Sequence, residues 1–410
     1  MRPVGKFALL SYNLPPLKTP HGAIIHRLLK ELPPDAYCLM SASPDDFGVP
    51  GETPDRLPGN YHRLPPPYQF TRGYRLGFQS ATVRTLVGVV SRARTIARIL
   101  RQERCDAIVL CTGGFELIDF PAAFLASRLV GARFYAYLLD QYLNMIRIVL
   151  GKSVLSFFEG VVLRRSTAVI APSEFMRDRL RERYGVDAVV IHHPCDVDQY
   201  VAAGSSGKSL GAGEVRIVYT GSVGQLYADG LRNLAVALDL LNRDDVRLHI
   251  YCPQSPEECE ELGIRGRITF HGTQPISAMP RIQCSADILF LPLAFETEHA
   301  DHLQTSVPGK MGEFLAAGRP ILVHTAPDYF TTWYFRHHDC GLVVSENDPK
   351  ALARGLERLL ADPELRERLS RRARERAKAD FDTSLVRRQF LHLIQQEAVA
   401  AVDKRSSEVD

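Results

Sequence analysis

The chain has 410 residues, 45% of them hydrophobic, and its 50 basic residues nearly balance 47 acidic ones for a net charge of +3. This length exceeds what one core usually fills and predicts two domains, while the near balance of charge gives no electrostatic reason to expect nucleic acid. Eight cysteines without a C-x-x-C pair predict reduced thiols and argue against a zinc site or a disulfide framework.

Strand-like and helical runs alternate from the start. Residues 6–12 read as a strand, 23–32 as a helix and 37–42 as a second strand, with no signal-peptide pattern ahead of them. After a Pro-rich loop and a long helix come strand runs at 107–112, 133–139, 167–172 and 189–193. The run at 143–163 is the nearest to a membrane span, but Arg147, Lys152 and Glu159 interrupt it. The second half repeats the alternation with strands at 215–220, 247–252, 268–271, 288–292, 320–324 and 341–344. The Gly/Ser-rich stretch 201–213 reads as a linker between a domain at 1–200 and another at 214–378. The pattern predicts an α/β fold of two doubly wound parallel sheets with a cleft outside the strands' carboxyl ends. Cytoplasmic location follows from the thiols and the missing leader.

Loops after the strands hold the candidate site residues. Ahead of the first helix, Lys18, His21 and Gly22 are candidates for an acceptor side. Gly113 and Gly114 follow the third strand of the first half and suit close approach of backbone to a ligand. Asp140 ends the next strand, with helix capping as its alternative role, and Ser173 reads as a cap. In the second half Gly221-Ser222-Val223-Gly224 follows a strand, a weak but well-placed phosphate-loop signal. His299 and His302 lie three apart, yet no second ligand cluster accompanies them, so 296–302 reads as a mobile solvated loop and not a metal site.

The most informative stretch is 307–323, VPGKMGEFLAAGRPILV. Residues 310–317 read as a short helix whose apolar face is Met311, Phe314 and Leu315, with Gly318 past its end and a buried strand after Pro320. Lys310 and Glu313 share another face in the first turn. There free N–H groups favour an anion such as a diphosphate, and Glu313 can accept from sugar hydroxyls. The alternative is a surface ion pair contributing a few tenths of a kcal/mol.

This stretch resembles the pattern P-S/G-K-x-x-E-[YF]-x-A-x-G-[KR]-P-[IV] of bacterial family 4-like glycosyltransferases of the GT-B fold. The match falls on Pro308, Lys310, Glu313, Phe314, Ala316, Gly318, Arg319 and Pro320. The resemblance implies transfer of a sugar from a nucleoside-diphosphate sugar to a hydroxyl, usually with retention of configuration and with no tightly bound cofactor or protein-bound metal. It puts Lys310 and the loop of Gly221, Ser222 and Gly224 at the donor diphosphate, Glu313 at the ribose, and His271-Gly272 near the base. Thr305, Pro308 and Gly309 line the same donor side, and Asp140 lies near the reacting carbon. Two departures stand out: Leu139 replaces the usual histidine before Asp140, and Thr305 replaces a glutamate eight residues before Glu313. A basic residue usually following the glycine loop is also absent, with Tyr227, Ala228 and Asp229 on that ground and Arg232 a distant candidate.

The resemblance further implies a final helix, 379–400, returning to the first domain, ahead of a disordered tail at 401–410. Arg94, Arg98 and Arg101 flank the stripe of Val89, Ala93, Ile96 and Leu100, a covering helix that could also rest on anionic lipid at the inner membrane face if the acceptor is lipid-linked. Polysaccharide ends and small molecules are the other acceptor classes. A nucleotide-sugar epimerase, or a non-catalytic nucleotide-sugar-binding or partner subunit, are the rival functions.

Overall fold

The computed structural model describes residues 5–16, 19–43, 56–65, 78–112, 118–139, 152–204 and 213–406. The chain divides into two compact units, Met1–His192 with Val386–Asp410, and His193–Leu385.

The first unit runs β1 (Phe7–Leu10), α1 (Pro20–Leu29), β2 (Tyr37–Ser41), β3 (Asn60–Arg63), α2 (Phe78–Glu103), β4 (Ala107–Thr112), α3 (Asp119–Val130), β5 (Arg133–Leu138), α4 (Lys152–Arg164), β6 (Ala168–Ala171), α5 (Glu174–Tyr184) and β7 (Val189–Val190). Its strands form a parallel sheet in the order β3-β2-β1-β4-β5-β6-β7. Alternate side chains feed two cores. Ala8, Leu10, Met40, Ile108 and Leu110 face α2 and α3, and Phe7, Leu9, Leu39, Val109 and Tyr135 face α1 and the last helix of the chain. The stripe on α2 is as expected, with Ala93, Ile96 and Leu100 buried and Arg94, Arg98 and Arg101 exposed. Arg92 is the exception: it is buried and paired with Asp119 at 3.2 Å. β3 has no counterpart among the expected strands. Asn60-Tyr61-His62-Arg63 is a partly exposed edge strand with no alternating apolar signal to read.

The second unit runs α6 (Val197–Ala203), β8 (Val215–Thr220), α7 (Ala228–Leu241), β9 (Val246–Tyr251), α8 (Pro256–Glu261), β10 (Ile268–Phe270), α9 (Met279–Cys284), β11 (Ile288–Pro292), α10 (Ala300–Leu303), α11 (Met311–Ala317), β12 (Ile321–His324), α12 (Phe330–His338), β13 (Leu342–Val344), α13 (Pro349–Ala361) and α14 (Pro363–Arg376). Its parallel sheet has the order β10-β9-β8-β11-β12-β13. β4, β8 and β11 keep their expected bounds, the other expected strands shift by a residue or two at either end, and β7 stops three residues short of its expected end at 193.

Two segments sit elsewhere than the sequence placed them. The stretch after His192 belongs to the second unit because Cys195 bridges Asp382, with Cys195 N–H donating to Phe381 O at 2.6 Å and Thr383 N–H to Cys195 O at 3.0 Å. The last helix, α15 (Thr383–Ser406), continues into what was expected to be a disordered tail from 401. Its Ala-rich stretch after Glu397 favours propagation. From Val386 onward α15 belongs to the first unit, where Val386, Phe390 and Ile394 are buried. Arg387 anchors it there, donating to Leu28 O at 3.0 Å and Arg27 O at 2.7 Å and pairing with Glu31.

Phe390 lies 6.2 Å from the ring of Phe7 and 6.2 Å from that of Tyr137. Phe390→Ala is expected to destabilise the protein by about 3–5 kcal/mol in equilibrium denaturation. A loss below about 1 kcal/mol would show that α15 is not part of the first unit's core.

Candidate functional site

The strand order of the second sheet reverses between β8 and β11, the place where an open parallel sheet leaves a crevice at its carboxyl edge. The loop after β8 and the segment that leads from β11 to α11 come together there. α11 is amphipathic as expected: Met311, Phe314 and Leu315 are buried, and Gly318 ends it with φ +58°. Gly312 keeps the helix tight, since a Cβ there would stand 3.0 Å from the Phe381 ring and 3.3 Å from Cys195 Cβ. Lys310 is not in the first turn but at the N-cap, with φ −79° and ψ −11°.

From that position the Lys310 side chain runs under the glycine loop. Its Nζ lies 4.0 Å from the ring centre of Tyr219 and 4.3 Å from that of Tyr227, and donates to Tyr219 Oη at 2.9 Å. Among the described residues Lys310 makes no ion pair. Burial pushes its pKa down to about 7, and the negative charge of Glu313 pulls the other way. The ring faces favour the ammonium form as well. The result is an amine in a half-dry place that titrates near neutral pH, with its charged form only partly compensated.

Tyr219 ties this lysine to the loop. Burial pushes its phenol well above the usual range, so it stays protonated and donates to Ser222 O at 2.6 Å while accepting from Lys310. Gly221 has φ +125°, and a Cβ there would stand 2.8 Å from Lys310 Nζ. Its role is therefore conformational and steric, for its own N–H is spent on Tyr251 O at 2.9 Å. Val223 N–H is likewise taken, by Gln254 Oε1 at 2.8 Å. Among the described residues the Ser222 and Gly224 N–H groups have no hydrogen-bond acceptor. Asp229 fixes the loop's far end, accepting from Phe295 N–H at 2.7 Å beyond β11.

Glu313 is half-buried and accepts from Gln283 Nε2 at 3.4 Å, and the same amide donates to Thr220 Oγ1 at 3.0 Å. These two bonds fix the amide's orientation, and among the described residues Gln283 Oε1 is buried without a hydrogen-bond partner beside Glu313. A ligand hydroxyl would satisfy it. Thr305 and Pro308 are buried and Gly309 is exposed.

The segment 296–302, expected as a loose loop, is partly ordered. α10 begins within it and ends one residue beyond, at Leu303, which is buried with Leu293, Ala294, Ala326 and Tyr329. Phe330 N–H donates to Gln304 O at 2.9 Å. His271 is committed to packing: its ring stacks on Tyr251 at 4.2 Å and bonds His249 at 2.9 Å, and burial and the nearby Arg216 lower its pKa. Gly272, with φ +62°, is exposed beside it. Arg232, the distant phosphate candidate, donates to Leu262 O at 3.0 Å instead.

In the first unit the strand order reverses between β1 and β4, and the acceptor-side candidates belong to the loops after these strands. Gly22 is buried, its N–H donated to Thr19 Oγ1 at 3.0 Å in the cap of α1, and His21 is half-buried at the second position of that helix. Lys18, Gly113, Gly114 and Asp140 lie outside the described residues. Ser173 caps α5, accepting from Met176 N–H at 3.1 Å.

Three residues of this arrangement, Tyr219, Tyr227 and Gln283, were not singled out from the sequence. Tyr219 and Tyr227 flank the glycine loop, and the second stands where a basic residue was looked for. An aromatic pair beside a single lysine was the available signal. Gln283 had none, because it reaches Glu313 from a separate helix.

Residues 214–362 match the family model described as glycosyl transferases group 1, and residues 50–199 match that of glycosyltransferase family 4. No curated protein sequence matches the chain. Among solved structures, a glycosyltransferase from Rickettsia africae ESF-5 superposes with a TM-score of 0.68 at 15% identity, over 96% of this chain and 98% of that one. Sucrose-phosphate synthase from Thermosynechococcus elongatus gives 0.68 at 16% identity, over 97% and 100%. Anabaena HepE in complex with UDP and glucose gives 0.65 at 14% identity, over 94% and 98%. At such identities the likeness is one of fold, which is GT-B.

The depressed lysine makes stability depend on pH. Below about 7 Lys310 is charged in both states and the folded protein carries the whole burial penalty, at most about 5 kcal/mol. Between about 7 and 10.5 the unfolded chain holds a proton that the folded one has released, so stability rises with pH there. Lys310→Met is therefore expected to raise Tm most at pH 6 and progressively less toward pH 10. A gain that does not change with pH would refute the shifted titration.

Proposed function

We propose that this chain, a glycosyltransferase of the GT-B fold, takes its sugar from a nucleoside-diphosphate donor bound in the second unit and passes it to an acceptor hydroxyl with retention of configuration. The observation that carries the reading is the Lys310 ammonium, held between Tyr219 and Tyr227 with no ion pair among the described residues. A diphosphate supplies the charge this lysine lacks. In the reaction the bond from the anomeric carbon to the β-phosphate oxygen breaks, and charge grows on that oxygen. Lys310 and the N–H groups of Ser222 and Gly224 stabilise it electrostatically. Glu313 accepts from the ribose hydroxyls, and Gln283 Oε1, buried and unpartnered, accepts from another ligand hydroxyl.

UDP-sugars lead the candidate donors because UDP occupies the Anabaena structure. The acceptor is a hydroxyl compound chosen by the first unit, with His21 and Gly22 as its described candidates and Lys18, Gly113, Gly114 and Asp140 as those known from the sequence. Contact with anionic lipid would use α2 and α4, where Leu86, Val87, Phe157 and Phe158 are exposed. Among the described residues no helix is long and apolar enough to cross a membrane.

The test is a thermal-shift panel of UDP-, GDP- and dTDP-sugars. A ligand at 100 times its Kd stabilises by about 2.7 kcal/mol, so one nucleotide class should give a clear rise in Tm. Lys310→Ala is expected to weaken that ligand at least tenfold, and Glu313→Gln to weaken it while sparing inorganic diphosphate. Silence across the whole panel in the intact protein would sink the donor-site reading.

Binding should also take up protons. At pH 8 the free lysine is mostly neutral and the bound one charged, so calorimetry in buffers of different ionisation enthalpy should detect between about half and one proton per ligand. The uptake should vanish in Lys310→Met. Equal uptake in that variant would assign the proton to another group.

A further inference from the structure

The first unit holds a second cluster of reactive side chains that the transfer reaction does not use. Cys38 on β2, His62 on β3 and Glu103 at the end of α2 place a sulfur, a ring nitrogen and a carboxylate oxygen all within 4.8 Å of one another. Cys105, two residues past α2, brings a second sulfur to 3.6 Å from Cys38 Sγ. His62 Nε2 is 2.7 Å from Glu103 Oε1, Asn60 Nδ2 donates to both Glu103 oxygens at 3.1 and 3.2 Å, and Lys6 Nζ stands 2.5 Å from Oε2. No pair of these donors is closer in sequence than Glu103 and Cys105, and the sulfurs are 67 residues apart. A reading by spacing could not find them.

We propose that Cys38, His62, Glu103 and Cys105 bind a divalent cation of the zinc class, which clips the edge strand β3 and the end of α2 to β2. The donor chemistry is that of such an ion: two sulfurs, one imidazole and one carboxylate make a four-coordinate set that suits zinc and disfavours magnesium or calcium. Zinc bonds of about 2.0–2.3 Å set tetrahedral ligand edges of about 3.3–3.8 Å, and the two sulfurs already stand at such an edge. His62 and Glu103, hydrogen-bonded to one another at 2.7 Å, part and turn onto the ion when it binds, and Cys105, outside the 4.8 Å group of the other three, closes on it through its side chain. The position at the carboxyl end of the 26-residue α2 adds the negative end of its dipole.

Coordination releases the two thiol protons to solvent and involves no electron transfer. Lys6 occupies Glu103 in the metal-free state and competes with the ion. Its side chain is 20% exposed and can turn to water when the carboxylate is taken. Asn60 remains to orient Glu103.

The experiment uses the full chain, reduced and freed of metal with a chelator, and titrated with Co²⁺ as a visible probe. The expected result is sulfur-to-cobalt charge-transfer absorption with the intense visible bands of a tetrahedral site, saturating near about one equivalent and displaced by Zn²⁺, with a rise in Tm. Lys6→Met is expected to tighten cobalt binding severalfold by removing the competing cation, whereas a merely structural ion cluster predicts only a lower Tm. The double variant Cys38→Ser/Cys105→Ser should lose the thiolate band, and Cys284→Ser, at a buried thiol of the second unit, should keep it. His62→Gln, at a partly exposed position, should weaken cobalt in a chain that still folds by circular dichroism. Absence of the thiolate band in the folded wild-type chain would overturn the proposal. So would a band that survives loss of both cysteines, or a Cys38–Cys105 disulfide found in the freshly isolated protein.

Discussion

The second unit's candidate site depends on keeping one ammonium group out of bulk water without giving it a carboxylate. Lys310 Nζ is enclosed by two tyrosine rings and a glycine, and burial outweighs the pull of Glu313. Such an arrangement costs electrostatic free energy, which an anion bound there under the proposed reading would recover. The neighbours are constrained by the same need. Gly221 is held at φ +125°, which strains any side chain, and a Cβ there would also crowd the Lys310 end; Tyr219 must stay protonated to tie the lysine to Ser222. The burial costs stability, and the proposed donor site gives that cost a reason.

This enclosure is possible only at a particular place in the sheet. Where the strand order reverses between β8 and β11, two successive connections leave the carboxyl edge on opposite sides and open a crevice. The glycine loop comes from one connection and the Lys310 segment from the other. Asp229, bonded to Phe295 N–H, fixes them to one another. Tyr329 Oη donates to Ala294 O at 2.9 Å and holds the same segment from the side of α12. The first unit repeats the reversal between β1 and β4, and its candidate acceptor loops leave the sheet there. The same topological rule thus locates both sets of candidates, each within its own unit.

The chain's last helix shows how packing overrides reading by segments. α15 begins beside Cys195 in the second unit, and from Val386 it is core of the first, with Phe390 between Phe7 and Tyr137. Nothing local to residues 383–406 specifies that partner. Arg387 does so in the folded state by meeting carbonyls at the end of α1.

The sequence by itself determined the architecture and the motif. Alternating apolar runs of period 2 and 3.6 are a local property, so β4, β8 and β11 could be bounded to the residue, and α11 could be recognised with Gly318 at its end. The polar edge strand β3 escaped because an edge position places no apolar demand on side chains. Lys310 and Glu313 could be put forward as an anion and hydroxyl site because they lie three apart on one short segment. What the sequence could not determine was the surroundings of those two residues. Tyr219 and Gln283 reach Lys310 and Glu313 from 91 and 30 residues away, and the Cys38, His62, Glu103 and Cys105 cluster gathers from three separate elements. Only tertiary structure decided these, because burial and short distances between remote side chains exist only after the chain has folded, and they set the pKa of Lys310 and the donor set of the cluster.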